Sequence, residues 1–161
     1  MLILVVGLPG TGKTTIAKYL AKKTDAVLLR ADVIRKELIK KPTYSKEETE
    51  MIFSEMFARA KSILSKKMNV VLDVVFGRET ERKKAEILAK QLNTSLKIVE
   101  IICEEDIIKK RLEKRVGDES DADFSIYLKL KDLFEPITEK HIIIDNSKGV
   151  GGVKAELDRL F

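Results

Sequence analysis

Residues 7–15 read GLPGTGKTT, which sets Gly7, Gly12, Lys13 and Thr14 in the G-x-x-x-x-G-K-[ST] arrangement of a phosphate-binding loop. The chemistry follows from the residue types. Glycines let backbone N–H groups turn inward around phosphate oxygens, and a helix N-terminus behind them adds partial positive charge. On this reading Gly7, Gly10, Thr11 and Gly12 form the cradle of a nucleotide site, and Lys13 reaches the β- and γ-phosphates. Thr14 offers its hydroxyl to Mg²⁺, while Thr15 meets the α-phosphate or supports the first helical turn.

Further carboxylates and arginines complete the set. In VVLDVVFGRETER, Asp73 closes an apolar run, where a Walker-B-like carboxylate would help hold Mg²⁺. In RADVIRKEL, Asp32 stands at a helix start with Arg35 one turn along, as a catalytic carboxylate, an N-cap or both. Arg78 and Arg82 are four apart, so they share a helix face if the helix begins that early, facing either an acceptor or solvent. Arg111 and Arg115 lie in EEDIIKKRLEKR, and with the loop VGDESDAD they read as a basic lid over about 104–122. Asn146 and Ser147, in DNSKGVGG, are placed to reach a base. Cys103 and His141 read as structural, as do Phe124, Tyr127 and Phe134.

The elements that must position these groups alternate along the whole chain. Leu2 to Val6 is a buried strand, and Ile16, Ala17, Leu20 and Ala21 follow at helical spacing. Next come a short run from Ala26 to Leu29 and a helix from about Val33 to Lys40, stopped by Pro42. Ser45 with Glu48 is a capping box, opening a long helix with Ile52, Phe53, Met56, Phe57, Ala60, Ile63 and Leu64 on one face. Strands are expected at Val70–Val75, Leu96–Cys103 and Ile142–Ile144. Helices are expected on the Ala85–Leu92 stripe, near Asp106–Val116, from Phe124 to Phe134 behind a Ser120–Asp123 cap, and at the C-terminal end with Val153, Leu157 and Leu160 apolar. Five apolar strands separated by helices imply a parallel sheet covered on both faces, with ligands beyond the carboxyl ends of its strands.

At 161 residues, with 44% apolar and 35% charged residues, the chain reads as one soluble domain over 1–161. The opening apolar run is too short to span a bilayer, and its flanks are not those of a signal peptide. With a single cysteine, the expectation is a cytoplasmic protein with no membrane association. A net charge of +5 suits an anionic ligand, yet Lys and Arg are interspersed with Asp and Glu, so no basic block marks a nucleic-acid surface.

Val74 follows Asp73 where many ATPases carry a water-orienting Glu, and the guanine-reading N-K-x-D is missing. Both absences favour transfer from ATP to an acceptor over hydrolysis. GLPGTGKTT, RADVIRKEL, VVLDVVFGRETERKKAEILAKQL and KKRLEKR together resemble the small predicted-kinase group of P-loop proteins, over nearly the whole chain. Its relatives include polynucleotide kinases, chloramphenicol phosphotransferase and zeta-type toxins. SDADFSIYLKLKDLFEP also resembles ATP-binding domains found beside aminoglycoside-phosphotransferase-like domains.

The resemblance implies a three-layer α/β P-loop kinase fold with a basic helical lid. It makes Asp32 the base, Arg35 an acceptor-binding arginine and Arg111 with Arg115 the lid pair; Arg78 and Arg82 are further acceptor-side candidates. The Asp-Thr-Asn of polynucleotide kinases is here Asp73-Val74-Val75, a departure that weakens the case for a nucleic-acid acceptor. The expected activity is therefore an ATP- and Mg²⁺-dependent kinase acting on a hydroxyl of a small molecule. A polynucleotide 5′-hydroxyl kinase, a nucleotide-binding regulatory module and a nucleotide-sugar-phosphorylating toxin are the alternatives.

Overall fold

The structure, a computed structural model, describes residues 1–114 and 122–161. β1 (Leu2–Val6) is buried along its whole length, as an apolar run with no polar alternation requires when both sheet faces are covered. Full burial of each such side chain is worth about 1.5–3 kcal/mol. α1 (Lys13–Lys23) starts from Gly12, and β2 (Ala26–Arg30) leads directly into α2 (Ala31–Leu38). α3 (Lys46–Ser65), β3 (Asn69–Asp73), α4 (Glu79–Gln91) and β4 (Leu96–Ile102) follow. The order closes with α5 (Glu105–Glu113), α6 (Phe124–Leu133), β5 (Ile142–Asp145) and α7 (Val150–Leu160).

Among the described residues the strands form one all-parallel sheet in the order β2-β3-β1-β4-β5. The period of two along β1 divides its side chains between the faces. Leu2, Leu4 and Val6 join α2, α3 and α4 in one core, while Ile3 and Val5 join α1 and α7 in the other. A third, small cluster of Ile108, Leu112 and Tyr127 ties α5 and α6 to Leu8 beside the phosphate loop. The expected three-layer α/β fold is present, and no helix among the described residues is long and apolar enough to cross a membrane.

Local expectations are corrected in a few places. α2 begins at Ala31 with Arg30 at the cap position, so Asp32 lies inside the first turn and is not the N-cap. Ser45 does cap α3, accepting from the Glu48 backbone N–H at 3.1 Å, but the Glu48 side chain turns to Thr43 and Arg35, so the reciprocal half of the box is missing. Asp123 caps α6, accepting from the Ile126 backbone N–H at 2.9 Å, and Ser120 lies outside the described residues. Leu160 stays 37% exposed at the fraying end of α7.

Candidate active site

Sheet register brings the chemistry together. Val5, Asp73 and Arg30 sit side by side at the carboxyl ends of β1, β3 and β2. The loop leaving β1 and the first turn of α1 therefore open directly over Asp73, and the Thr14 hydroxyl donates to Asp73 Oδ2 at 2.7 Å. Asp73 is buried and also receives Arg30 Nε at 3.3 Å. Nothing in the residue types singles out Arg30 beyond a charge closing an apolar strand, two residues before Asp32 in the first turn of α2.

The loop owes its shape to glycines where side chains do not fit. Gly12 has φ +92°, and a Cβ there would lie 2.1 Å from Asn146 Nδ2. Gly10 has φ +81°, with Ile108 of α5 2.8 Å from where its Cβ would be. Thr11 folds its hydroxyl onto the Leu8 carbonyl at 2.8 Å, and Lys13 Nζ donates to that same carbonyl at 3.0 Å. Thr15 is exposed on α1.

Two residues assigned to ligands brace the loop instead. Asn146 is 2% exposed and donates through Nδ2 to the Thr11 carbonyl at 2.8 Å, so its side chain supports the cradle from below and is not free to read a base. Arg111 grips the same loop from α5. Its Nη2 donates to the Asn146 carbonyl at 2.8 Å, and its Nη1 faces the carbonyls of Thr11 at 3.3 Å and Gly10 at 3.5 Å and Cys103 Sγ at 3.4 Å. Arg111 is thus engaged with backbone oxygens here and is not a free lid guanidinium. Cys103 is half-buried beside it, not within the core. Arg115, the other lid arginine, lies outside the described residues.

The acceptor-side arginines divide three ways. Arg78 is the N-cap of α4 with an exposed side chain, so it does not share a helix face with Arg82. Arg82 is fully buried and corrects the expectation of an acceptor or solvent contact. It donates to the carbonyls of Phe76 at 3.0 Å, Glu135 at 3.4 Å and Pro136 at 2.9 Å, and pairs with Glu139 at 3.3 Å. These bonds fasten segment 135–139 to the loop that follows Asp73, in which Phe76 holds a left-handed φ of +48° against the ring of Phe53.

Arg35 stays on the Asp32 side of α2 but is buried, ion-paired to Glu48, with the Tyr44 ring 4.8 Å from its guanidinium carbon. Its Nε is enclosed and has no hydrogen-bond partner among the described residues.

Asp32 itself is half-buried. Burial pushes its carboxyl up from the ordinary aspartate range and the Asp73 carboxylate adds to this, against the pull of Lys13, Arg30 and Arg35. The donor set of Thr14 and Asp73 suits Mg²⁺, a hard cation that takes one or two carboxylates and keeps its remaining positions for water and phosphate oxygens. No group of three or more His, Cys, Asp or Glu among the described residues offers a metal cage of another kind.

A phosphate loop between the central strand and its helix, a Thr–Asp pair beneath it, and the β2-β3-β1-β4-β5 order define the P-loop kinase fold. The chain belongs to the AAA domain family, which it matches over residues 2–137. It is 30% identical to an uncharacterized protein of Mycobacterium tuberculosis, Rv2004c, over 75% of this chain and 27% of that one. The chain thus spans about a quarter of the length of the curated relatives it matches. In structure it resembles a gluconokinase from Sinorhizobium meliloti, with TM-score 0.71 and 17% identity over 98% of this chain and 91% of that one. It also resembles the Mycobacterium tuberculosis APS kinase CysC, solved with AMPPNP and APS, with TM-score 0.73 and 14% identity over 99% and 95%.

Proposed function

We propose that this chain is an ATP-dependent kinase that transfers the γ-phosphoryl group to a hydroxyl of a small molecule. The observation that carries the reading is the placement of a second carboxylate, Asp32, in the first turn of α2, just past the end of β2 where Arg30 pairs in register with Asp73, while Thr14 and Asp73 already meet at 2.7 Å. One carboxylate serves a cation and the other is left for a proton. The gluconokinase and APS kinase likenesses support phosphoryl transfer as the reaction class.

Thr14 and Asp73 would hold Mg²⁺, and Lys13 would leave the Leu8 carbonyl for the phosphates. When bound, Mg²⁺ neutralises charge on the phosphate oxygens. Asp32 aligns the acceptor hydroxyl; as the new O–P bond forms and the bond to ADP breaks, the hydroxyl proton passes to the Asp32 carboxylate. A loose transition state makes positioning more important than basicity, so a carboxylate is strong enough.

The test is an ADP-release screen with Mg-ATP across sugars, nucleosides, antibiotics and 5′-hydroxyl oligonucleotides. With an acceptor found, Asp32→Asn should cut turnover about 100-fold or more while ATP affinity holds. Because the raised Asp32 value means that ionisation costs stability as pH rises through it, the Asn variant should keep or gain Tm at neutral pH. Turnover like the parent's would remove Asp32 from the reaction.

A further inference from the structure

We infer that Glu48 is a specificity-determining residue: by pairing with Arg35 one helical turn from Asp32, it silences the one acceptor-side cation of α2 and fits the site to acceptors with no anionic group beside the reacting hydroxyl. This deepens the kinase reading above and rests on it. Asp32 and Arg35 are three residues apart on α2 and therefore neighbours on its surface. Without a partner, such an arginine would be a ready site for a phosphate or carboxylate attached to the acceptor.

Here the guanidinium is already occupied. Glu48, from the first turn of α3, pairs with Arg35 Nη1, with side-chain exposures of 7% for the carboxylate and 10% for the arginine. Glu48 is itself held in place: the Thr43 backbone N–H donates to its Oε2 at 2.7 Å and the Thr43 hydroxyl at 3.0 Å. Tyr44, at a left-handed φ of +56°, lays its ring over the guanidinium. Burial works to raise the Glu48 carboxyl, but the Thr43 bonds and Arg35 overcome it and bring the carboxyl from 4.5 down to about 2, so the pair is ionised throughout the physiological range. A second anion arriving at Arg35 would have to displace a fixed carboxylate or share one guanidinium with it inside a poorly solvated pocket. A neutral polyhydroxyl acceptor meets no such conflict.

The enclosed Arg35 Nε is a built-in reporter. The full chain, saturated with Mg-AMPPNP to fill the phosphate loop, is titrated with inorganic phosphate while the Arg35 Nε–Hε signal is followed by NMR. The wild-type signal should not move. Glu48→Gln, which keeps an oxygen for Thr43 but frees the arginine charge, should give a saturable shift with phosphate affinity at least about tenfold higher. Glu48→Asp, which keeps the charge, should resemble wild type, and Glu48→Met replaces the Gln variant if that folds poorly. Phosphate binding at Arg35 in wild type, or equal affinity in wild type and the charge-removing variant, overturns the inference. The titration reads the Arg35 charge whether or not the protein turns over, so a failed kinase reading shows separately as an absence of ADP release.

Discussion

The Thr14 hydroxyl and Asp73 Oδ2, 59 positions apart in sequence, meet at 2.7 Å because β1 and β3 are parallel neighbours with Val5 opposite Asp73. The hydroxyl brings no formal charge to the contact, and the same Oδ2 also receives Arg30 Nε at 3.3 Å.

Asp73→Asn should therefore act twice. Losing the carboxylate should raise the Mg²⁺ concentration for half-maximal activity by about tenfold or more. Removing the Asp73 charge from beside buried Arg30 should lower stability by roughly 1–3 kcal/mol. An Mg²⁺ titration of ADP release, alongside thermal melts, separates the effects. Thr14→Ala should show the first without the second.

Arg111 and Asn146 hold the same carbonyl of Thr11 from two directions. Removing either should loosen the cradle and weaken ATP binding about tenfold. Because they share a partner, the double alanine variant should cost clearly less than the product of the single effects. Calorimetry with Mg-AMPPNP on all four proteins of the cycle measures this. Independent effects would show that each acts on the nucleotide by a separate route.

Arg82→Ala should cost roughly 3–5 kcal/mol, since it strands Glu139 and uncaps three carbonyls around a fully buried site. Arg82→Lys keeps the charge but cannot reproduce the planar fork, so it should recover only part of the loss. The melting temperatures decide. A normal Tm with weakened acceptor binding would return Arg82 to the acceptor side.

The Glu48 carboxyl, at about 2 in the folded chain against 4.5 when free, adds stability above about 4.5 and loses it as pH falls toward about 2. Glu48→Gln should lower Tm at neutral pH and flatten the acid limb of the Tm profile across that window. A variant whose acid limb superposes on the parent's would place the acid-labile group elsewhere.

Much of the fold is written in short-range terms. Apolar runs, helical stripes and the Ser45 and Asp123 caps locate the elements to within a few residues, because period and capping are properties of neighbouring residues. The phosphate loop and Asp73 were legible for a related reason: glycines, a lysine and a hydroxyl at fixed spacing encode a backbone shape. The long side chains were not legible in this way. Arg82 and Arg111 look like surface charge in sequence, but among their partners are carbonyls 53 or 54 and 35 to 101 positions away. Glu48 has the spacing of a reciprocal cap, yet the buried charge of Arg35 outcompetes the backbone N–H of Ser45 for its carboxylate. Asp32 has the residue type of a cap, but α2 begins two residues earlier than its apolar pattern suggests.

The contact of Gly12 with Asn146 bears on how the protein is made. The loop at residues 7–15 takes its shape from β3 and β4 on either side of β1, from Ile108 and Arg111 on α5, and from an asparagine just past β5. A chain still emerging from the ribosome carries every fixed residue of the loop long before it has the walls that set their geometry. Nucleotide capture should therefore appear abruptly in a series of stalled nascent chains, only once residue 146 has cleared the exit tunnel.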